Sequence, residues 1–422
     1  MSIFTKRGIR LPLLKDPAAS RPIEDMENVT QVTLPLSFSG DHASRRPALG
    51  SYSTVIRGQV IGLPENDQDT PVLSSVTGVL SGTQTLSHPL YGELECAVLD
   101  CMIAARPEPI PRPHKGEWTP AEIVGAARTA GIIDEIDGVP LHLKLKDWQG
   151  GRCHFLVADA VEQEPYSSSA WAVLNESIEQ VWDGVRLAVT AIGAAGAHIA
   201  VKLPAARRRD LSKRLQGSQL FQVRSRYPAE QYSHTAGDVV VGRVGVQACL
   251  ALYRAVAYGE SHGDCVLTVA GDAVAASRNL RIPFGVSIRQ VLLACGLSSD
   301  PARVILGDAL TGTAVATLDL PLLPGSTCLL ALTEKRARLP RACIGCGRCV
   351  QACHMGLLPF EIARRLENMH YERLSGLLPE LCDGCGACSY VCPAGRDVTA
   401  RVMEARESSG TIFLNWGDED DA

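Results

Sequence analysis

Cys343-Ile344-Gly345-Cys346-Gly347-Arg348-Cys349-Val350-Gln351-Ala352-Cys353 is answered 28 residues further on by Cys382-Asp383-Gly384-Cys385-Gly386-Ala387-Cys388-Ser389-Tyr390-Val391-Cys392-Pro393. Each block has the spacing C-x2-C-x2-C-x3-C, and the two together take eight of the fifteen cysteines in a chain of 422 residues. Two glycines punctuate each block at equivalent places, Gly345 and Gly347 in the first, Gly384 and Gly386 in the second. Glycine adopts backbone angles closed to other residues, which suits a tight loop that turns several side chains toward one point.

Eight thiols so arranged point to two [4Fe–4S] clusters. The run, closing on Cys392-Pro393, is the ligand pattern of bacterial ferredoxins, in which the fourth cysteine of each block ligates the other block's cluster. On that reading Cys343, Cys346, Cys349 and Cys392 hold cluster 1, and Cys382, Cys385, Cys388 and Cys353 hold cluster 2. Structural zinc takes four ligands, typically as two separated pairs. Here each block alone supplies four, so iron–sulfur is the stronger reading and zinc, or a metal-free remnant, the weaker. His354 stands where the second block has Pro393. Its expected role is a solvated helix start; the rival is a donor to a cluster sulfide that raises the reduction potential. The interval between the blocks is too long for a minimal linker, and Phe360–Met369 and Tyr371–Leu378 carry helical patterning with good helix formers. The expectation is an α-helical di-cluster ferredoxin domain over 335–405. The basic hinge Lys335-Arg336-Ala337-Arg338-Leu339-Pro340-Arg341 opens it, and an acidic tail over 406–422 follows.

The remaining composition is that of a globular protein, 46% hydrophobic and 21% charged with a formal net charge of −5. Such a balance gives no reason to expect nucleic acid as a partner. No stretch approaches the roughly 20 apolar residues of a membrane span, and Met1–Gly8 lacks the apolar core of a signal peptide. The other seven cysteines (Cys96, Cys101, Cys153, Cys249, Cys265, Cys295, Cys328) sit among apolar neighbours, as buried thiols in a reducing cytoplasm do. A cytoplasmic protein is expected, with peripheral attachment to the cytoplasmic face of the inner membrane left open.

Ahead of the cysteine blocks the chain reads as multidomain α/β. Residues 1–105 carry short apolar runs, Val32–Leu36, Val55–Ile61 and Val76–Leu80, separated by Gly, Pro, Asn and Asp. Their order resembles a barrel-sandwich hybrid, and no lysine stands before Gly78 to carry a lipoyl or biotinyl arm. Alternating prolines over 106–118 give an extended linker. From 119 to 260 helix and strand alternate: Thr119 caps a helix that opens on Pro120, Cys153–Ala158 and Ala197–Val201 read as strands, and Ala170–Ile192 between them has helical spacing. A parallel, Rossmann-like α/β domain follows from that order. Over 261–334 the strands Val266–Gly271, Arg303–Gly307 and Cys328–Leu332 surround a helix Ile288–Cys295 capped by Ser287, which suggests a β-grasp module.

In this order the four modules resemble the C subunit of the Rnf electron transport complex and, for the first three, the A subunit of the sodium-pumping NADH:quinone reductase. Arg7-Gly8-Ile9-Arg10-Leu11-Pro12, Ser20-Arg21-Pro22-Ile23-Glu24 and Cys353-His354-Met355-Gly356-Leu357-Leu358-Pro359 are similar to that family's words. The likeness implies that 261–334 is a soluble-ligand-binding (SLBB-like) β-grasp domain. It also implies FMN and NADH over a loop G-x-G-G-A-G-F-P-T, where glycines let backbone amides approach phosphates. Here that loop is Gly131-Ile132-Ile133-Asp134-Glu135-Ile136-Asp137-Gly138-Val139-Pro140-Leu141. Its glycine cluster is gone, and three carboxylates stand where phosphates would sit, opposing an anion at close range. Glu162-Gln163-Glu164-Pro165-Tyr166 keeps the family's Glu-Cys-Glu-Pro-Tyr, and Arg226-Tyr227-Pro228-Ala229-Glu230 loses the glycine of Lys-Tyr-Pro-x-Gly. The resemblance makes Glu162, Glu164 and Tyr166 the flavin or NADH residues, and a retained loop if that site is eroded.

Intact cluster ligands beside an eroded nucleotide loop favour an electron-transfer subunit over a self-sufficient enzyme. It would relay single electrons between a flavoprotein or ferredoxin partner and an acceptor enzyme. The alternatives are an FMN-containing NADH dehydrogenase subunit of an Rnf-type ion-translocating complex, and a non-catalytic iron–sulfur assembly scaffold.

Overall fold

The computed structural model describes residues 7–36, 47–64, 66, 69–89, 91–113, 116–215, 219–224, 226–229, 240–297, 300–334, 339–371 and 374–416. Residues 335–338 of the basic hinge, Glu230 and the last acidic residues, 417–422, lie outside them.

The N-terminal region is a four-stranded antiparallel sheet in the order Gln31–Pro35, Gly92–Ile103, Thr77–His88, Thr54–Val55, with a two-stranded pair, Val60–Gly62 and Val72–Leu73, beside it. Its long hairpin runs from Thr77↔Ile103 to His88↔Gly92 with two register shifts. The run Val55–Ile61, read as one strand, is broken by a turn at Arg57-Gly58 into two short ones. Only the first half of the hairpin buries alternate residues. The polar second half carries no apolar signal, so its length could not be read from the residues alone.

Next comes a four-stranded all-parallel sheet in the order Leu220–Gln222, Gly196–Val201, Phe155–Ala160, Val241–Gly245. Phe155–Ala160 is central and buried along nearly its whole length, as strands covered on both faces are. The helices Ser169–Ile192 and Val246–Tyr258 pack against it, and their apolar faces build the largest core cluster. Thr119 makes a reciprocal capping box with Glu122: its side chain accepts from the Glu122 amide, and the Glu122 carboxylate accepts from the Thr119 amide at 2.8 Å. The helices Leu141–Trp148 and Ala205–Arg214 were not foreseen, because charged residues interrupt their apolar stripe.

A six-stranded mixed sheet follows, ordered Glu24–Asp25, Arg278–Pro283, Asp264–Ala270, Cys328–Leu332, Arg303–Leu306, Thr313–Val315. Ser287 caps the helix Ile288–Ala294 through the Gln290 amide. The outermost strand, Glu24–Asp25, comes from the N-terminal region and pairs in parallel with Leu280 and Arg281. One hydrophobic cluster joins Val32, Leu34 and Leu99 to Leu267, Ile282 and Leu329, so the first and third regions share a core. Asp264 sits at their seam, contacted by Arg57 and by Arg106 from the proline-rich stretch.

The C-terminal region is helical: Arg348–Ala352, Pro359–Glu367, Ala387–Tyr390 and Val398–Trp416. Two expectations are corrected. Among the described residues of Tyr371–Leu378 there is no α-helix: Ser375–Leu377 is a short 3-10 turn, and a second, Pro379–Leu381, follows it; Gly376 and Pro379 interrupt any longer α-helix. The last helix runs past residue 405 into the stretch expected to be tail.

Candidate metal centres

Each cysteine block begins as an irregular loop and turns into a short helix at its third cysteine. Gly347 (φ +69°) and Gly386 (φ +76°) precede those helices in the left-handed region. Gly386 is doubly constrained, since a Cβ there would lie 3.0 Å from the Leu310 carbonyl. The loops thereby aim their thiols at two separate hollows. One is lined by Cys343, Cys346, Cys349 and Cys392, the other by Cys353, Cys382, Cys385 and Cys388. In each case the fourth cysteine comes from the opposite block. None of the fifteen cysteines is in a disulfide.

The donor chemistry fits a cationic iron core. Burial pushes the thiols of Cys349, Cys382 and Cys385 above the ordinary range and that of Cys388 up to about 11. Such groups become thiolates when a metal supplies the compensating charge. The walls are apolar: Phe360, Ala363 and Val398 at the first hollow, Leu357, Pro359 and Val402 at the second. Most of these residues belong to a small core of the helical region.

The two hollows differ in exposure. Around the first, Cys343 and Cys346 are exposed, and Ile344 shows 71% of its surface. Arg396 stands at this mouth, paired with Glu367. The second hollow faces the body of the protein. Cys353 and Cys388 are buried, and Cys385 packs with Ile9, Leu310 and Tyr227.

His354 is not a solvated helix start. The helix before it ends at Ala352, its side chain is 7% exposed, and Nε2 lies 2.8 Å from Asp383 Oδ2. Burial works against the Asp383 carboxylate, but His354 and the Cys385 amide outweigh it and hold its pKa low. The pair links the first residue after Cys353 to the first after Cys382, tying the two blocks together beside the second hollow.

Glu162 and Glu164 are both engaged inside the protein. Glu162 Oε1 accepts from the Ala170 amide at 2.8 Å and from the Ser167 and Ser169 hydroxyls, at the start of the helix Ser169–Ile192. Glu164, buried, accepts from Tyr227 Oη (2.9 Å), from Thr311 Oγ1 (2.7 Å) and from the Leu310 amide. Tyr227 Oη also lies 2.5 Å from the Cys385 carbonyl, so its hydroxyl stands between that carbonyl and Glu164. Tyr227 is itself held by a two-way backbone bridge to Ile9, both bonds 2.9 Å. Two stretches flagged only by family resemblance, around Ile9 and Tyr227, thus form the seat of the second hollow. Tyr166 lies elsewhere, against Ala270, Cys328 and Leu330. Asp308 is a site residue that the residue patterns did not single out. It is half-buried near Glu164 and Glu162, with desolvation as the main cause raising its pKa to about 7. A lone Asp in a loop carries no sequence signal.

In Gly131–Leu141 the three acids do not face an open cradle, which corrects the reading of unpaired repulsive charge. Lys144 Nζ donates to Asp134 (2.6 Å) and Asp137 (2.7 Å), while Glu135 accepts from the amides of Gln247 (2.7 Å) and Ala248 (3.0 Å). These residues do not fit a flavin phosphate.

Comparison with known proteins agrees with the cysteine geometry. Residues 342–396 match the family model for a 4Fe-4S dicluster domain, and residues 4–102 that for the RnfC barrel sandwich hybrid domain. The C subunit of the Na(+)-translocating ferredoxin:NAD(+) oxidoreductase complex of Acetobacterium woodii is 26% identical over 385 residues, covering 85% of this chain and 86% of that one. The C subunit of the ion-translocating oxidoreductase complex of Rhodobacter capsulatus is 25% identical, covering 86% and 75%. Its counterpart in the proton-translocating ferredoxin:NAD(+) oxidoreductase complex of Clostridium ljungdahlii is 24% identical, covering 81% and 79%. Among solved structures, an NAD+-reducing [NiFe]-hydrogenase aligns with TM-score 0.46 and 19% identity, over 69% of this chain and 62% of that one. Among the described residues no helix is long and apolar enough to cross a membrane.

Proposed function

On the premise that this chain is a relative of the C subunits of ion-translocating oxidoreductase complexes, we propose that it is an iron–sulfur electron-transfer subunit of such a complex. The observation that carries the reading is the pair of hollows, each lined by four cysteines drawn from both blocks. Cys343, Cys346, Cys349 and Cys392 would hold cluster 1; Cys382, Cys385, Cys388 and Cys353 would hold cluster 2. Bound there, [4Fe–4S] clusters supply one-electron chemistry at potentials set by their surroundings. The protein's own part is placement. Apolar walls exclude water, Tyr227 fixes the Cys385 loop, and the His354–Asp383 contact ties the blocks together. The exposed first hollow suits exchange with a partner redox protein, a flavoprotein or ferredoxin, and the second suits coupling to the body.

The upstream regions are, in this reading, docking scaffold: a barrel-sandwich hybrid over 1–105, a linker over 106–118, a Rossmann-like domain over 119–260, and an SLBB-like β-grasp over 261–334. The ferredoxin-type domain begins near 335 and closes with the helix that ends at Trp416. The protein would work on the cytoplasmic side, attached peripherally to its complex, with no nucleic acid partner. The names of the relatives, which include NAD(+), favour a second reading, an FMN-containing NADH dehydrogenase subunit. Oxygen-free purification with iron, sulfide and flavin quantified together decides. Two clusters' worth of iron and sulfide without flavin is the expected result. Stoichiometric flavin with NADH-dependent dye reduction would establish the second reading, and zinc or no metal would overturn both.

A further inference from the structure

The family likeness brings a nucleotide phosphate with it, and the loop that would receive it is Gly131–Leu141. Phosphates are held by unpaired backbone amides at a helix N-terminus and by a cation close by. Both kinds of donor are present here. The first turn of the helix Val246–Tyr258 offers the amides of Gln247 and Ala248, with that of Gly245 just before it; Lys144 offers the ammonium. Each of these donors is engaged by this same loop. Glu135 takes Gln247 N at 2.7 Å and Ala248 N at 3.0 Å, Asp134 takes Gly245 N at 3.0 Å, and Lys144 is shared by Asp134 at 2.6 Å and Asp137 at 2.7 Å. The corner is shaped for this arrangement, because a Cβ at Gly245 would run into the Glu135 carboxylate.

We propose that this loop is a self-liganded anion seat: Glu135, Asp134 and Asp137 supply from within the chain the acceptor oxygens that a nucleotide phosphate supplies elsewhere. The α/β region then binds no flavin or nicotinamide nucleotide through this loop, and its helix N-terminus is capped by a tethered carboxyl group. Tethering explains why three acids are tolerated so close together. Each has a fixed donor, and no loop-ordering entropy remains to be lost on binding. Burial raises the pKa of Glu135, its largest influence, with the Asp134 charge acting the same way; the two amides oppose both. This inference deepens the relay reading, but it is decided by anions and nucleotides, whereas the relay reading is decided by iron.

The test uses the full chain purified without oxygen, its iron content checked first. Wild type is titrated with FMN, NADH and inorganic phosphate, and its thermal unfolding is followed in phosphate or formate against chloride at matched ionic strength. The expected result is no nucleotide binding and no anion-specific stabilisation. Glu135→Ala, which vacates the helix amides, should unfold several degrees lower and recover part of that loss specifically in formate or phosphate. Glu135→Gln keeps an acceptor oxygen, so it should fold and gain less from either anion. Stoichiometric FMN bound to wild type at this loop overturns the proposal. So does stabilisation of wild type by phosphate equal to that of Glu135→Ala, or a Glu135→Ala protein that formate and phosphate leave unchanged. If Glu135→Ala does not fold, the wild-type titrations and Glu135→Gln still decide.

Discussion

The two cysteine hollows and the loop Gly131–Leu141 are both places where the chain gathers strong polar groups in a tight, glycine-bearing turn. They resolve in opposite ways. At Cys343–Cys392 four thiols line each hollow, and burial raises the pKa of several of them, so the arrangement calls for an external cation. At Asp134–Asp137 every carboxylate meets an amide or the Lys144 ammonium of the same chain. The difference teaches that a motif's letters indicate where a site lies, and the fold shows how it is opened or closed. What decides is whether the fold itself supplies the partners.

The largest expected effect is at the thiols. Cys388→Ser should remove the whole second cluster, half the iron, while the first survives; Cys349→Ser should do the reverse, read by iron analysis and by electron paramagnetic resonance of the reduced protein. The crossed fourth ligands sharpen this. Cys353→Ser should act on the cluster of the second block and Cys392→Ser on that of the first. The opposite assignment would mean that the blocks do not exchange ligands.

Next in size is Glu164→Ala. It leaves the Leu310 amide and the Thr311 hydroxyl without this acceptor and the Tyr227 hydroxyl with only the Cys385 carbonyl, and should cost about 2–4 kcal/mol in urea unfolding. The same change should disturb the spectrum of the second cluster and not the first, since Tyr227 also meets the Cys385 carbonyl. Equal disturbance of both would break the contrast drawn between an inward and an outward hollow.

A pH dependence is smaller. Burial raises the pKa of Asp308 to about 7 in the folded protein, against about 4 in the unfolded chain. Folding therefore takes up a proton between these values. The stability contributed by the protonated form is full below about pH 4 and declines as pH rises to about 7, by at most about 1.4 kcal/mol per pH unit. Asp308→Asn should lack that decline and be the more stable variant at pH 8 but not at pH 4, measured by urea unfolding at both. Smallest is Thr119→Ala, which removes half of a capping box in the α/β region and should cost about 1 kcal/mol with no change in iron or spectra.

How much of this was legible beforehand varies with the range of the interactions. Thr119, Ser287 and the glycines before the cluster helices act within a few residues, and each was placed correctly from its neighbours alone. Phe155–Ala160 and Gly196–Val201 announced themselves as buried strands because covered strands are apolar throughout. The polar half of the Thr77–His88 hairpin, the helix Leu141–Trp148 and the 3-10 turns before Cys382 did not, since their form is imposed by pairing or by what they pack against. His354 was misjudged for the same reason: Asp383, its partner, lies 29 residues away, across the whole interval between the blocks.

The amino-acid sequence by itself determined that two blocks of cluster-ligand spacing exist, which eight cysteines form them, and that the loop Gly131–Leu141 lacks a glycine cluster, because cysteine spacing and backbone freedom are local properties. Only the tertiary structure decided that one hollow opens to solvent and the other is seated on Tyr227, Glu164 and Leu310. It alone decided that the acids of Gly131–Leu141 are bound to Lys144 and to the start of the helix Val246–Tyr258. Those outcomes depend on which groups the fold brings within hydrogen-bonding distance: Lys144 stands 7 and 10 residues from Asp137 and Asp134, but Glu135 and Gln247, or Tyr227 and Cys385, lie more than a hundred apart and leave no trace of their meeting in the order of the chain.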